Sequence, residues 1–351
     1  MDNAACRLRQ YQALMAPGTP LRDGLERILR GRTGALIVLG RNRTVDQVST
    51  GGFELSVPFS AQTVRELAKM DGAIVMDTDS MTITAAGVHL MPDARIDTPE
   101  TGTRHRTADR VARQCGVPVI TVSASMSTLS LFLDNGRHLV EDSAQILSRA
   151  DQALQTMERY RDRLTGLVNR LSALEVEDQV TVRDLALVVQ RLEMVVRLDR
   201  ELSGYVVELG TDGRLLSLQL HELNAGIDEM RELIELDYGR APEGVDSFAA
   251  IDDLSTTELL DPLLVARAIG YANDHLDARI SARGLRQLAQ INKLPSTLGP
   301  RLIEHFGSLQ ALFGASTAEL QDVEGVGEGR ARIIRDGLTR LAESAYTERL
   351  S

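Results

Sequence analysis

Arg104, His105 and Arg106 stand in a row inside the run Gly102-Thr-Arg-His-Arg-Thr-Ala. Ala108, Val111, Ala112 and Cys115 follow at i, i+3, i+4 and i+7 and stop before Gly116, so the spacing predicts a helix that opens on this run and is capped by that glycine. The three bases therefore occupy a first turn. A helix N-terminus carries partial positive charge and unpaired N–H groups, and cations placed there are unfavourable until an anion joins them. Phosphate is the anion this combination of bases, hydroxyls and free N–H groups suits.

A second chemical element is Asp71-Gly72-Ala73, between a predicted helix and a buried strand, at the kind of loop where open α/β sheets place their ligands. Alone, the tripeptide is a weak signal and Asp71 reads as the cap of a turn. Beside a phosphate cradle in the same domain it becomes a candidate for metal binding or proton transfer. No GxxxxGKS or GxxxxGKT run is present, which argues against a P-loop nucleotidase. Asp77 and Asp79 lie close by, but Asp77 ends a strand; His89, His138, His221, His275 and His305 are scattered without ligand spacing and read as structural or surface residues. Cys6 and Cys115 show neither CxxC spacing nor a neighbouring histidine cluster, so they read as free thiols.

The elements that must position these residues alternate over the first 140 or so positions. Leu21 to Arg30 predicts a helix, Ala35 to Leu39 a buried strand, Ser60 to Met70 a capped helix and Ala73 to Met76 a second buried strand. Met81 to Leu90 and Val117 to Val122 read as extended. Leu129 to Leu133 and His138 to Val140 flank Asp134-Asn135-Gly136, a hairpin signal in which Asn-Gly supplies the positive φ of a tight turn. From about Ser143 the pattern changes to long helices. Ala150, Leu154, Met157, Leu164, Val168 and Leu171 recur at near-heptad spacing, and further periodic stretches run from Leu185 to Leu209 and from Leu215 to Tyr238. This middle carries no catalytic constellation and reads as a helical bundle acting as spacer and self-association surface. Asp237 to Asp252 reads as a loop, and Pro262 to Leu276 as a helix.

Composition bounds the classes. The 351 residues are too many for one ordinary core, and 43% hydrophobic with 25% charged residues describes a folded soluble protein. No secretory signal or bilayer-spanning apolar run is evident, so a cytoplasmic, membrane-free location is expected. Lys69 and Lys293 are the only lysines. A net charge of −11 argues against indiscriminate polyanion binding, yet from Ser281 onward nine basic side chains face eight acids, so any nucleic-acid contact should lie in that segment, on a local patch.

There, Leu320 to Ile334 predicts a helix end, a Gly-Val-Gly hairpin at Gly325, Val326 and Gly327, and a second helix with Ala331 and Ile334 facing inward. Glycines let the backbone approach a DNA phosphate, and the N–H groups that follow, near Gly329 and Arg330, hold its oxygens. This run resembles the helix-hairpin-helix family. Leu294 to Ile303 is similar to a weaker first copy that lacks the first hairpin glycine, and the two copies make one DNA module. A helical protein-interaction domain is the competing reading.

Asp71-Gly72-Ala73 and Gly102-Thr-Arg-His-Arg-Thr-Ala together resemble the paired motifs of the diadenylate cyclase family, and the helical middle and helix-hairpin-helix end extend the resemblance to the DNA-integrity-sensing branch of that family over the whole chain. The resemblance implies a multidomain α+β chain: a mixed α/β cyclase domain with a central sheet at 1–142, an all-helical spacer at 143–285 and a tandem helix-hairpin-helix DNA-binding domain at 286–351. It implies a nucleotidyltransferase that condenses two ATP into cyclic di-AMP with loss of two pyrophosphates. Asp71 would activate the 3′-hydroxyl directly or through Mg²⁺ or Mn²⁺, Gly72 and Ala73 would admit the nucleotide, and Thr103, Arg104, His105, Arg106 and Thr107 would bind the triphosphate. Leu90 and Ser123 match further nucleotide contacts, against plain readings as core and strand-end residues. Branched or damaged DNA and a homo-octamer joined through the cyclase domains are the implied partners. The alternative from another class is a non-catalytic DNA-repair scaffold whose first domain binds a nucleotide as an allosteric ligand. A nuclease or ligase subunit is disfavoured, since no acid cluster or nucleophilic lysine accompanies the hairpins.

Overall fold

The computed structural model describes residues 3–134, 136–240 and 248–348. The chain packs as two compact units, residues 1–152 with 202–219 and residues 153–201 with 220–351.

The first unit opens with α1 (Asn3–Leu14) and α2 (Pro20–Arg30). The Thr19 hydroxyl caps α2 by accepting the Arg22 N–H, and Pro20 begins it where a missing N–H costs nothing. Then come β1 (Ala35–Leu39), α3 (Arg43–Val48), β2 (Ser49–Thr50), β3 (Phe53–Pro58), α4 (Ala61–Leu67), β4 (Ala73–Asp77) and β5 (Thr82–Leu90). After a long loop, α5 (Thr103–Cys115), β6 (Val119–Ser123), β7 (Thr128–Leu133) and β8 (Gly136–Val140) complete the sheet. Its order is β2-β5-β4-β1-β6-β7-β8, with β3 also on β5; β1 and β4 are parallel and every other pair is antiparallel.

Both faces of this sheet are covered, so β1 is buried along its whole length and reads as an unbroken apolar run rather than an alternating one. Met15, Leu21, Leu25 and Ile28 pack with Ile37, Ile74 and Ile120 on one face. Ala108, Val111, Ala112 and Cys115 of α5 pack with Leu36, Val38, Val75 and Val119 on the other. Helix α4 stops at Leu67, three residues before the sequence expectation, because Ala68 closes its C-terminus. The hairpin turn also sits one residue early: Leu133 already pairs with Gly136, and Asp134 carries a positive φ of 46°. Asn135, on which the Asn-Gly expectation rested, lies outside the described residues.

Two long helices follow, α6 (Ser143–Val176) and α7 (Val182–Leu209), and then α8 (Arg214–Asn224) and α9 (Ile227–Tyr238). The heptad-like side chains of α6 are buried except for the half-buried Val168. The single helix expected from Leu215 to Tyr238 is two, broken where Gly226 takes a φ of +75°. Helix α10 (Pro262–Ala268) is shorter than expected, since the chain turns at Gly270 with a φ of +94°. Of the loop expected at Asp237 to Asp252, residues 241–247 lie outside the described residues and Ala249–Ile251 forms a 3-10 turn.

Short helices α11 (Leu285–Ala289), α12 (Leu298–Phe306), α13 (Leu309–Gly314) and α14 (Thr317–Leu320) precede α15 (Glu328–Glu348). They close around Leu298, Leu302, Leu312, Leu320, Val326 and Ile334.

A buried polar knot ties this terminal part to the helical middle within the second unit. The fully buried Glu175 carboxylate accepts Arg286 Nε at 3.1 Å and Nη2 at 2.5 Å, the Tyr238 hydroxyl at 2.6 Å and Gln287 Nε2 at 2.7 Å. Beside it Asp237 accepts the N–H groups of Gly284, Leu285 and Arg286, capping α11 from another helix. Burial pushes the Asp237 carboxyl up to about 6, with the Glu175 charge adding to the rise and the three N–H bonds opposing it. A folded value above the ordinary carboxylate range means that this group's contribution to stability is full below about pH 4 and is lost as pH rises through about 6. Asp237→Asn keeps an acceptor oxygen and cannot ionise. It is therefore expected to gain stability relative to the parent between pH 4 and pH 7, by up to on the order of 3 kcal/mol. Urea unfolding of both proteins at the two pH values checks this, and a constant difference refutes it.

Candidate active site

The parallel register pairs Ile37 with Ile74, and three positions upstream on each strand stand Gly34 and Asp71. The antiparallel partners end at the same edge: Val88 pairs with Ala73, so Leu90 lies beyond it, and Val122 pairs with Ala35, so Ser123 lies beside Gly34. One sheet edge thus gathers the starts of β1 and β4 and the ends of β5 and β6. The loop carrying Asp71 precedes β4, so this edge lies outside the amino ends of the parallel pair, whereas open α/β sheets usually bind their ligands at the carboxyl ends.

A cavity of about 140 Å³ opens there, lined by Thr33, Gly34, Lys69, Asp71, Gly72 and Arg104 among others. Two of its glycines do physical work. Gly72 has a φ of +110°, and a Cβ on it would stand 2.6 Å from the Gly87 carbonyl carbon, so its missing side chain lets the loop lie against β5. Gly34 has a φ of +71°, and a Cβ there would stand 2.6 Å from Arg104 Nη1. The guanidinium therefore rests across Gly34, at the cavity. Ala73 is buried as the first residue of β4.

Helix α5 starts at Thr103 with Gly102 as N-cap, no side-chain cap and no acid in its first turn, and ends on left-handed Gly116, as the spacing predicts. Its three bases diverge. Arg104 and Arg106 are exposed, and among the described residues neither forms an ion pair; nor does the exposed Asp71. His105 turns inward to 6% exposure and meets Phe132 edge-on at 6.1 Å. Burial lowers its pKa below the ordinary imidazole value, and the Arg137 and Arg104 guanidinium groups lower it further against the Glu100 carboxylate. Thr103 is exposed and Thr107 half-buried, outside the cavity lining.

Leu90 packs on the core below α5, while the buried Ser123 Oγ lies 3.4 Å from the Ser125 hydroxyl and accepts the Met126 N–H at 3.4 Å. Sequence reasoning passed over Thr33, Gly34 and Lys69. A lysine two positions before Asp71 in a chain with one other lysine was the available signal.

In the second unit, Gly325 alone of the hairpin glycines has a positive φ, +91°, while Gly327 and Gly329 have open space where a Cβ would stand. Val326 is buried in the core, and the Arg330 guanidinium turns back to donate to the Gly325 carbonyl at 2.7 Å. Among the described residues no group of three or more His, Cys, Asp or Glu side chains is placed to hold a metal ion, and no helix is long and apolar enough to cross a membrane.

Residues 22–137 match the family described as DisA bacterial checkpoint controller nucleotide-binding, and residues 140–276 match the DisA bacterial checkpoint controller linker region. The DNA integrity scanning protein DisA of Streptomyces griseus is 55% identical over 350 residues, covering 97% of this chain and 94% of its own. Its counterpart in Acidothermus cellulolyticus is 56% identical over 350 residues, covering 98% and 95%, and that of Kineococcus radiotolerans is 56% identical over 348 residues, covering 97% of each.

Two left-handed glycines, Gly72 at this edge and Gly116 at the far end of α5, are separable by stability alone. Gly72→Ala meets backbone at a strained φ and is expected to lose more than about 2 kcal/mol, whereas Gly116→Ala, left-handed but in open space, is expected to lose about 1 kcal/mol. Denaturant unfolding ranks the two, and equal losses would remove the steric account of Gly72.

Proposed function

Since the chain belongs to the DNA integrity scanning protein DisA family, we propose that it is a diadenylate cyclase that condenses two ATP into cyclic di-AMP and two pyrophosphates under the influence of bound DNA. The observation that carries this reading is the meeting of Asp71, Gly72 and Arg104 at one cavity beside the uncapped start of α5, with neither charged side chain neutralised by an ion pair among the described residues. An acid and a cation held apart at one cavity leave room for a third charged body between them.

In the reaction, the 3′-hydroxyl oxygen of one ATP attacks the α-phosphorus of the other, and the bond from that phosphorus to the bridging oxygen breaks as pyrophosphate leaves. A second, reciprocal attack closes the ring. The two active sites must therefore face each other across two copies of the chain, within the octamer expected of the family. Asp71 takes the hydroxyl proton or holds the divalent ion. As an exposed carboxylate with no ion-pair partner among the described residues it would suit a hard, oxygen-liganded cation such as Mg²⁺ or Mn²⁺. Such an ion, when bound, neutralises phosphate charge. Arg104 and Arg106, with the first N–H groups of α5, stabilise the charge that develops as pyrophosphate departs. Thr103, Thr107, Leu90 and Ser123 complete the nucleotide contacts at the same edge.

Residues 286–351 are the DNA-binding module on this reading, a tandem helix-hairpin-helix. Support comes from the positive φ at Gly325, the buried Val326 and, at the matching place in the first copy, the equally buried Leu298. The open backbone at Gly327 and Gly329 is where phosphate approaches.

Incubation of the purified protein with ATP and Mn²⁺ is expected to yield cyclic di-AMP, and Asp71→Asn to yield none while still binding ATP. Arg104→Ala is expected to lower kcat by about 10²–10³. ATP binding without product from the parent would favour the nucleotide-binding scaffold instead. Saturating branched DNA is expected to lower turnover, and an unchanged rate would remove the coupling.

A further inference from the structure

The histidine between the two arginines of α5 faces the sheet, and its surroundings are poorly suited to a phosphate ligand. Successive helical residues point about 100° apart, so burying position 105 turns positions 104 and 106 to its two flanks. The imidazole fills the space between the start of the helix and Phe132, and its Nδ1 lies 3.4 Å from the point where a Cβ on Gly102 would stand. Its Nε2 is buried with no hydrogen-bond partner among the described residues. We propose, resting on the cyclase reading, that His105 is a positioning residue: a wedge beneath the first turn of α5 that sets where Arg104 and Arg106 stand, taking no part in proton transfer and carrying no charge to the phosphates.

The groups facing the ring agree. Arg104 on α5 and Arg137 on β8 oppose a proton on it, and the acid that favours one, Glu100 in the loop before α5, already accepts Arg137 Nη1 at 3.1 Å. Burial disfavours the charged ring as well. An imidazolium there would be flanked by two cations. A neutral ring costs less, and its unpaired nitrogen makes an apolar ring or branched chain an acceptable substitute.

The test compares His105→Phe, His105→Leu and His105→Ala in the full chain, measuring kcat and KM for ATP with Mn²⁺ alongside thermal melts. The better of Phe and Leu is expected to keep kcat within about threefold of the parent, with a rate–pH profile of the same shape and no fall in melting temperature. Folded His105→Ala, with the wedge emptied, is expected to raise KM about tenfold or more, because the arginines are no longer held. A loss of about a hundredfold in kcat for both Phe and Leu, in proteins that melt no lower than the parent, overturns the proposal by giving the nitrogens a chemical role. So does a folded Ala variant with parental kcat and KM. If Ala fails to fold, the Phe and Leu arms decide. A parent that binds ATP without making product counts against the cyclase reading, and the same ranking is then read from ATP affinity.

Discussion

The parallel pairing of β1 with β4 is the constraint on which the rest of the first unit depends. Both strands are apolar and enclosed by helices on either face, so a slip of one residue would move the pairing by about 3.3 Å and turn alternate side chains to the wrong face. The register fixes Gly34 level with Asp71. From this the antiparallel neighbours follow, because β5 and β6 must end where β4 and β1 begin. Helix α5 is laid over the face built by Leu36, Val38 and Val75, and its start arrives at the same edge. The site is less a motif than the place where four strand ends and one helix start coincide.

That explains which parts were legible in the sequence. Strand β1 was readable from Ala35 to Leu39 because a strand buried on both faces is written as a continuous apolar run. Helix α5 was readable from Gly102 to Gly116 because each end is marked by a glycine and the apolar stripe between them is regular. The meeting of Asp71 with Arg104 was legible only as a family resemblance, since it depends on strand pairing between distant segments that no local pattern encodes. Gly34 looked like punctuation before a strand, and its packing against Arg104 is visible only in three dimensions. The break at Gly226 was hidden for a different reason: α8 and α9 are each amphipathic, so apolar periodicity runs on across the glycine that separates them.

The second unit shows the same limit at higher stakes. Asp237 caps a helix that begins 48 residues later, and Glu175 accepts from an arginine 111 residues away. Such bonds leave no periodic trace. They also change what a charge count means, because Arg286, one of the nine bases of the terminal segment, is buried against Glu175. Arg335 donates to the carbonyls of Phe313 and Ala315, Arg301 reaches toward the Glu324 carbonyl, and Arg330 holds that of Gly325. Several of the cations that made this segment look basic are engaged in building it.

Two helix starts therefore stand in contrast. Helix α15 follows the glycine hairpin with Glu328 already in its first turn, paired with Arg332, so its positive end is partly satisfied from within. What that start leaves open is mainly backbone, since nothing stands where a Cβ would be at Gly327 and Gly329. Helix α5 has no acid in its first turn, no side-chain cap, and two exposed arginines without ion-pair partners among the described residues. Its charge is left unbalanced by the protein itself. Of these two starts, the stronger demand for an anion thus lies in the sheet domain, in a protein whose net charge is −11, because local arrangement rather than total charge decides where a phosphate can rest.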